Sequence, residues 1–352
     1  MKSIIHERPG VYSSYDASVS VWGGRAVRTI GVAAKSVSGA ANEAVQLTSY
    51  EMGLSAFGED DAASPGMSTL LKLLFTGGVS TVSAVAVDEE DYTSAFAALQ
   101  GVENVQVVIC DSGDLAVQQA LRTSLESASA ARRERLAEVG MSGASTSELT
   151  TRAKALNSER MVLVGPDGLD STGKTLPGVF AAAAVAAAIA VTRDPAIPLN
   201  GTTLYGLGGV SEQYSDNDID LLVRGGVTPL ESVGGVVSPV RGITTRTSTG
   251  GADDSTWREL TTILIVDDVI PSIRQSLRSR FNQAKNTLQT RGAIRSQVIV
   301  ELESKLRAEI IDGYSDVTVS VCDDDPTVCL VEFSFSVAHG LNQIYLTAHI
   351  TI

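Results

Sequence analysis

Between residues 81 and 166 four short apolar runs alternate with segments of helical character, and that alternation leaves few folds open. TVSAVAV (81–87), VQVVIC (105–110), RLAEVG (135–140) and RMVLVGP (160–166) have strand length. DYTSAFAALQGV (91–102), LAVQQALRTSLESASAARR (115–133) and SELTTRAKAL (147–156) read as helices between them. Strands joined through helices of this length form βαβ units and a largely parallel sheet. AVRTIGVAA (26–34) adds an earlier strand, Ser49 is placed to cap a short helix, and MSTLLKLLFTGG (67–78) is an amphipathic helix stopped by Gly77 and Gly78. The Ala-rich run from Pro177 to Thr192 reads as a buried helix, being too short and too rich in Ala for a membrane span.

The remainder reads differently. Residues 195–245 are rich in Gly and turns, and composition changes again near Thr244. The apolar ILIVDD reads as a strand ending in Asp267 and Asp268, followed by helices over Pro271–Gln289 and Ile294–Gly313. VTVSVC (317–322) and CLVEFSFSV (329–337), joined by an Asp-Pro turn, have the pattern of an antiparallel hairpin. In the closing LNQIYLTAHITI, Ile344, Leu346, Ala348 and Ile350 alternate with polar or aromatic residues, giving a terminal strand that needs a sheet to join. Residues 1–22 hold Pro9 and Gly10 and no helical period, the pattern of an extended arm. The predicted fold class is α/β, with a middle domain of βαβ units plus a C-terminal α+β domain carrying extended N- and C-terminal arms. The expected divisions are 1–22 for the N-terminal arm, 23–238 for the α/β domain, 239–337 for the C-terminal domain and 338–352 for the C-terminal arm strand.

Composition narrows the function. A formal net charge of −14 argues against general nucleic-acid binding, which needs a surplus of Lys and Arg. Three cysteines form no disulfide framework: Cys110 ends an apolar strand, while Cys322 and Cys329 flank the turn and are placed to face each other across the hairpin. Three histidines and no CxxC argue against a metal site, and the N-terminus has no apolar core of a signal peptide. Asp323, Asp324 and Asp325 lack EF-hand spacing and read as a solvated turn, and His339 and His349 have no nucleophile at a recognisable spacing.

One enzyme motif is literal. Gly168 to Thr175 matches G-x-x-x-x-G-K-[ST] and closely follows an apolar strand, so glycine amides would cradle phosphates, Lys174 would reach the outer ones, and Thr175 with Asp267 would hold magnesium. Against this, Leu176, Pro177 and Gly178 intervene before the next helix, which starts naturally at Pro177 and leaves Lys174 outside it. Asp167 and Asp170 also crowd the place where an anion should sit. A surface loop between strand and helix is the preferred reading, with a P-loop nucleotide hydrolase as the alternative.

The order of segments then becomes informative. Pro9-Gly10-Val11-Tyr12, AVQLTSYEMGLSAFGE, TLLKLLFTGGVSTVSAVAV, LPGVFAAAAVAAAIA with PAIPLNG, SDNDIDLLVRGGVTPLE, GITTRTS and WRELTTILIVDDVIPSIRQSL together resemble, in order, the landmarks of the contractile phage tail sheath family. The resemblance implies a structural protein, neither enzyme nor cofactor binder, that polymerises as a helical stack of hexameric rings around a tail tube protein. It also implies contact with baseplate and terminator proteins at the ends of the stack. Pro9, Gly10, Val11 and Tyr12 at one end and Ile344, Leu346, Ala348 and Ile350 at the other would be inter-subunit arms adding strands to a neighbour's C-terminal sheet. The alternative for the last strand is that it completes its own sheet. No nucleic acid and no direct membrane insertion are implied. The particle would be a virion tail or phage-tail-like device, assembled in the bacterial cytoplasm and released on lysis.

Between Asp268 and Glu301 every charged residue is basic: Arg274, Arg278, Arg280, Lys285, Arg291 and Arg295. Arg274, Arg278 and Lys285 fall at spacings that share one helical face. That face is expected to meet an acidic tube surface; the alternative is an acidic patch on a neighbouring sheath subunit.

Overall fold

The computed structural model describes residues 28–61 and 63–342. They form two compact units, one made from the described residues of Ala26–Arg193 and Ile197–Thr261 with Gly340–Asn342, the other from Asp194–Ala196 and Thr262–His339. The expected boundary at residue 238 falls within the first unit.

The larger unit is built on an eight-stranded sheet. In chain order its first half comprises β1 (Thr29–Ala34), β2 (Ala44–Leu47), α1 (Tyr50–Phe57), α2 (Met67–Thr76), β3 (Val82–Ala86), α3 (Tyr92–Gly101), β4 (Val105–Cys110) and α4 (Leu115–Ala130). Then follow β5 (Leu136–Gly140), α5 (Thr146–Leu156), β6 (Met161–Gly165), the short β7 (Gly168–Leu169) and β8 (Thr175–Leu176), and α6 (Gly178–Val191). Two-residue β9 (Gly209–Val210), α7 (Asp216–Arg224), β10 (Val227–Val233), β11 (Val236–Pro239), and the small β12 (Ser248–Thr249) and β13 (Ala252–Asp253) complete it. The sheet order is β11-β10-β6-β5-β4-β1-β3-β2. Its six inner strands run parallel, and β2 and β11 close the edges antiparallel.

Helices cover both faces, as a parallel sheet requires. α2 and α6 pack on one; α3, α4, α5 and α7 on the other, over a core that includes Phe96, Leu121, Leu149, Leu163 and Leu222. Ser49 caps α1 by accepting from the Met52 amide, as the sequence predicts, and Ser145 with Glu148 closes a capping box on α5. α6 is buried from Gly178 to Ala190, and its Ala side chains let it lie close to the strands. The contact is tightest where a Cβ on Gly140 would stand 2.1 Å from the Gly178 carbonyl carbon. At the other end of α6 the buried Arg28 guanidinium donates to the carbonyls of Ile189 and Thr192 at 2.8 and 2.9 Å, satisfying orphan acceptors of the last turn. Asn157 ends α5 in the left-handed conformation; its carboxamide accepts from the Thr247 and Ser248 amides and donates to the Ser248 carbonyl. That holds the 245–249 segment against the sheet unit.

The smaller unit comprises α8 (Leu260–Phe281), α9 (Leu288–Arg307), β14 (Ile311–Val321) and β15 (Cys329–Val337). α8 corrects the sequence reading. ILIVDD is helical, and the helix runs through Pro271 rather than starting there. A short apolar run does not by itself distinguish a buried strand from a buried helix, and here Ile263 to Val266 are all buried on one helix. The hairpin forms where expected, with Val319 opposite Val331 and Val321 opposite Cys329, but α9 ends at Arg307 and β14 starts at Ile311, inside the stretch read as helix over Ile294–Gly313. α9 packs on β14; the Arg295 Nε donates to the Val317 carbonyl at 2.7 Å and Tyr314 to Glu303 at 2.6 Å. The register pairs Cys322 with Val328 through its amide, so successive residues send the side chains of Cys322 and Cys329 to opposite faces, and both are free thiols. This corrects the expectation that the two face each other.

Candidate assembly surfaces

The phosphate-loop motif folds into a tight hairpin between β7 and β8. Asp170 organises it: its carboxylate accepts from the Thr172 hydroxyl and amide and the Lys174 amide, and its carbonyl accepts from Gly173. The amides that would cradle a phosphate are therefore turned onto the chain's own acid. The Thr172 hydroxyl, with help from the Lys174 amide, holds this carboxyl below the usual range. α6 begins at Gly178, with Pro177 preceding it, as the sequence predicts. Its first amide donates to Ser142 Oγ at 3.1 Å, and Asp167, buried beside it, accepts from the Gly143 amide at 2.8 Å. Burial pushes the Asp167 carboxyl up. Asp267 and Asp268 lie within α8, where Asp268 pairs with Lys305 Nζ at 2.7 Å. Among the described residues no group of three or more His, Cys, Asp or Glu is placed to hold a metal ion.

In open α/β sheets ligands favour the C-terminal strand ends where strand order reverses. Here that point lies at β1, between β3 and β4. It is filled by Asp111, which accepts from the Lys35 amide at 2.9 Å and from the Tyr92 hydroxyl at 2.7 Å. Desolvation raises both the Asp111 and the Tyr92 pKa. Lys35 Nζ pairs with Glu90 at 2.6 Å. These groups satisfy one another and close the position with the chain's own side chains.

The basic stretch is split by the structure. Arg274 is half-buried on α8 and Arg278 is exposed on the same helix, four residues on. α8 ends at Phe281, so Lys285 stands in the connection to α9 and not on a common helical face with the two arginines. The physical reason is the Asn286-Thr287 stop: Thr287 caps α9 by accepting from Thr290, and Asn286 donates to the Pro326 carbonyl at 2.8 Å. Asn286 also accepts from Arg291 at 3.0 Å. Arg278, Arg280 and Lys285 remain exposed at this corner, with Leu288 80% exposed beside them.

Strands β14 and β15 pair only with each other among the described residues, so each leaves an edge of backbone donors and acceptors. The expected arm residues Pro9, Gly10, Val11, Tyr12, Ile344, Leu346, Ala348 and Ile350 lie outside the described residues. No helix of the described residues is long and apolar enough to cross a membrane.

The described residues thus form an α/β unit on an eight-stranded sheet and a second unit of two helices with a β-hairpin. Residues 86–245 match the phage tail sheath protein central domain and residues 252–351 the phage tail sheath C-terminal domain. The tail sheath protein of Bacillus phage SP01 is 31% identical over 216 residues, covering 60% of this chain and 37% of that protein. That of Mycobacterium phage Bxz1 is 26% identical over 180 residues, 46% of this chain and 31% of that protein. This chain thus matches well under half the length of either curated relative. The fold is shared with the anti-feeding prophage helical sheath in its contracted state, at a TM-score of 0.72 and 15% identity over 98% of this chain and 99% of that one. It is also shared with the sheath tail protein of Listeria innocua, at a TM-score of 0.71 and 12% identity over 90% of this chain and 93% of that one. The chain belongs to the contractile phage tail sheath family, a family of structural and non-enzymatic proteins.

Proposed function

We propose that this chain is the subunit of a contractile sheath, stacking as hexameric rings around a tail tube and contracting to drive the tube through a cell envelope. The observation that carries this reading is the ordered match of central and C-terminal sheath domains across residues 86–351. The hairpin of β14 and β15 supports it, because its unpaired edges are of the kind that accepts a strand from another chain. Residues 9–12 and 344–350 would supply such strands, and head-to-tail exchange of this sort builds open helical lattices. Baseplate and terminator proteins would bound the stack in a virion tail or phage-tail-like particle, assembled in the host cytoplasm and released on lysis. Energy for contraction is stored in the extended lattice at assembly, so no nucleotide enters; the Asp170-centred hairpin supports leaving the hydrolase reading aside.

Arg274, Arg278 and Lys285 would face the tube, with Arg278 and Lys285 as the accessible charges. An electrostatic grip suits a contact that must later release, since salt screens exposed pairs. Two experiments test these claims. Removing residues 343–352 should leave a folded subunit that sediments only as small species; polymer of unchanged yield would contradict arm exchange. Reversing charge at Arg278 and Lys285 should prevent extended sheath from forming on tube; normal extended sheath would contradict the grip.

A further inference from the structure

The segment Pro198-Leu199-Asn200-Gly201 forms a ledge along the edge of the large sheet. Gly201 N donates to the Pro239 carbonyl at 2.9 Å and Leu204 N to the Val237 carbonyl at 2.8 Å, so the ledge is hydrogen-bonded along β11. Leu199 and Leu204 are 4% and 2% exposed and anchor it from below. Thr202 N closes a turn onto the Leu199 carbonyl at 2.9 Å. The last described residues lie on this ledge. Gly340 packs so close to Pro198 that a Cβ there would stand 2.9, 3.0 and 3.3 Å from three atoms of the proline ring. Two residues on, Asn342 Oδ1 accepts from Asn200 Nδ2 at 2.8 Å. Leu341, between the two contacts, is 72% exposed, so the segment is held by the residues on either side of it.

We infer that this ledge is a permanent seat for the root of the C-terminal arm: Gly340 to Asn342 stay docked on their own subunit, and only the residues after Asn342 pass to a neighbouring copy. The inference rests on the arm-exchange reading and specifies where exchange begins. A glycine at 340 lets backbone meet a proline ring directly, with no side chain to hold them apart. The neighbouring amide pair then sets the direction in which the chain leaves.

The test uses the full chain with Cys110→Ala, Cys322→Ser and Cys329→Ser, carrying Asn200→Cys and Asn342→Cys. Dibromobimane, which fluoresces when it joins two thiols, should link these positions within one chain. The linked protein should polymerise with the same yield as the unlinked protein. Adding Gly340→Val should lower the linking yield by displacing the segment from Pro198. Failure to link, an unchanged yield with Gly340→Val, or a loss of polymer on linking that unlinked protein does not show would each overturn the seat. A chain ending at Asn342 separates the two ideas. It should still link but fail to polymerise; if it polymerises, arm exchange fails while the seat stands.

Discussion

Gly140 at the end of β5 and Gly178 at the start of α6 meet backbone to backbone, leaving no room for a Cβ on Gly140: it would lie 2.1 Å from the Gly178 carbon and 2.2 Å from its oxygen. The helix that fills one face of the sheet is seated by this contact. Gly140→Ala should therefore cost about 3 kcal/mol or more, at or beyond the upper end of ordinary overpacking, and lower the melting temperature of the subunit or prevent folding. Gly292→Ala is the control. Nothing lies within 4 Å of that position on α9, and replacing a helical glycine by alanine should stabilise by about 0.5–1 kcal/mol.

Glu138 supplies a pH signature. It is 1% exposed on β5, and neither carboxylate oxygen has a hydrogen-bond partner. α6, which packs on β5, carries no titratable side chain, and the charge felt there is the Arg28 guanidinium. Burial raises the folded pKa well above the ordinary 4.5. The folded state thus holds a proton that the unfolded chain releases above that value. The contribution is fully present below pH 4.5 and is lost as pH rises through the folded pKa. Glu138→Gln should be more stable relative to wild type at pH 8 than at pH 5, measured as the shift in urea midpoint. A wild-type-minus-variant difference that does not change between these pH values would contradict a neutral Glu138.

Asp268 and Lys305 form a buried charge pair in the smaller unit, at 2.7 Å with side chains 5% and 14% exposed. Removing Lys305 takes a charge-assisted hydrogen bond from the buried Asp268 carboxylate, at a cost of about 1.5–3 kcal/mol. Lys305→Met should lower the urea midpoint accordingly, and Asp268→Leu with Lys305→Met should recover most of the loss. Equal destabilisation by the single and double variants would show that the pair is not coupled.

Asn157 should act as a clamp on the 245–249 segment. Its three side-chain hydrogen bonds reach Thr247 and Ser248, and its φ of 37° is one that Asn tolerates better than most residues. Asn157→Ala should cost about 2 kcal/mol from lost hydrogen bonds. It should also raise amide exchange at Thr247 and Ser248; unchanged exchange there would mean that other contacts hold the segment.

The parallel core was legible in the sequence because each inner strand is a short apolar run bounded by helix and turn signals, and β3 to β6 match their expected segments closely. ILIVDD was not, because its residues are buried on a helix and apolar content alone cannot give the period. α7 carried a readable signal in Ser215 and Asp218, which close a capping box, yet it lies in a glycine-rich region whose turns dominate the pattern. Lys285 had the right spacing for the arginine face, but spacing applies only while the helix continues, and Asn286 and Thr287 belong to the next cap. The phosphate-loop motif matched in letters; the Asp170 hydrogen bonds that redirect its amides depend on the hairpin and leave no trace in a spacing rule. The ledge under Gly340 was invisible for a similar reason, since its partners are 142 residues apart in the chain.

The most direct measurement is negative-stain electron microscopy of the purified chain, intact and without residues 1–20. Hollow striated tubes from the intact chain and their loss on trimming are the predicted result. Small globular particles from the intact chain, with ATP turnover abolished by Lys174→Ala, would contradict the sheath assignment and favour the nucleotide-hydrolase reading.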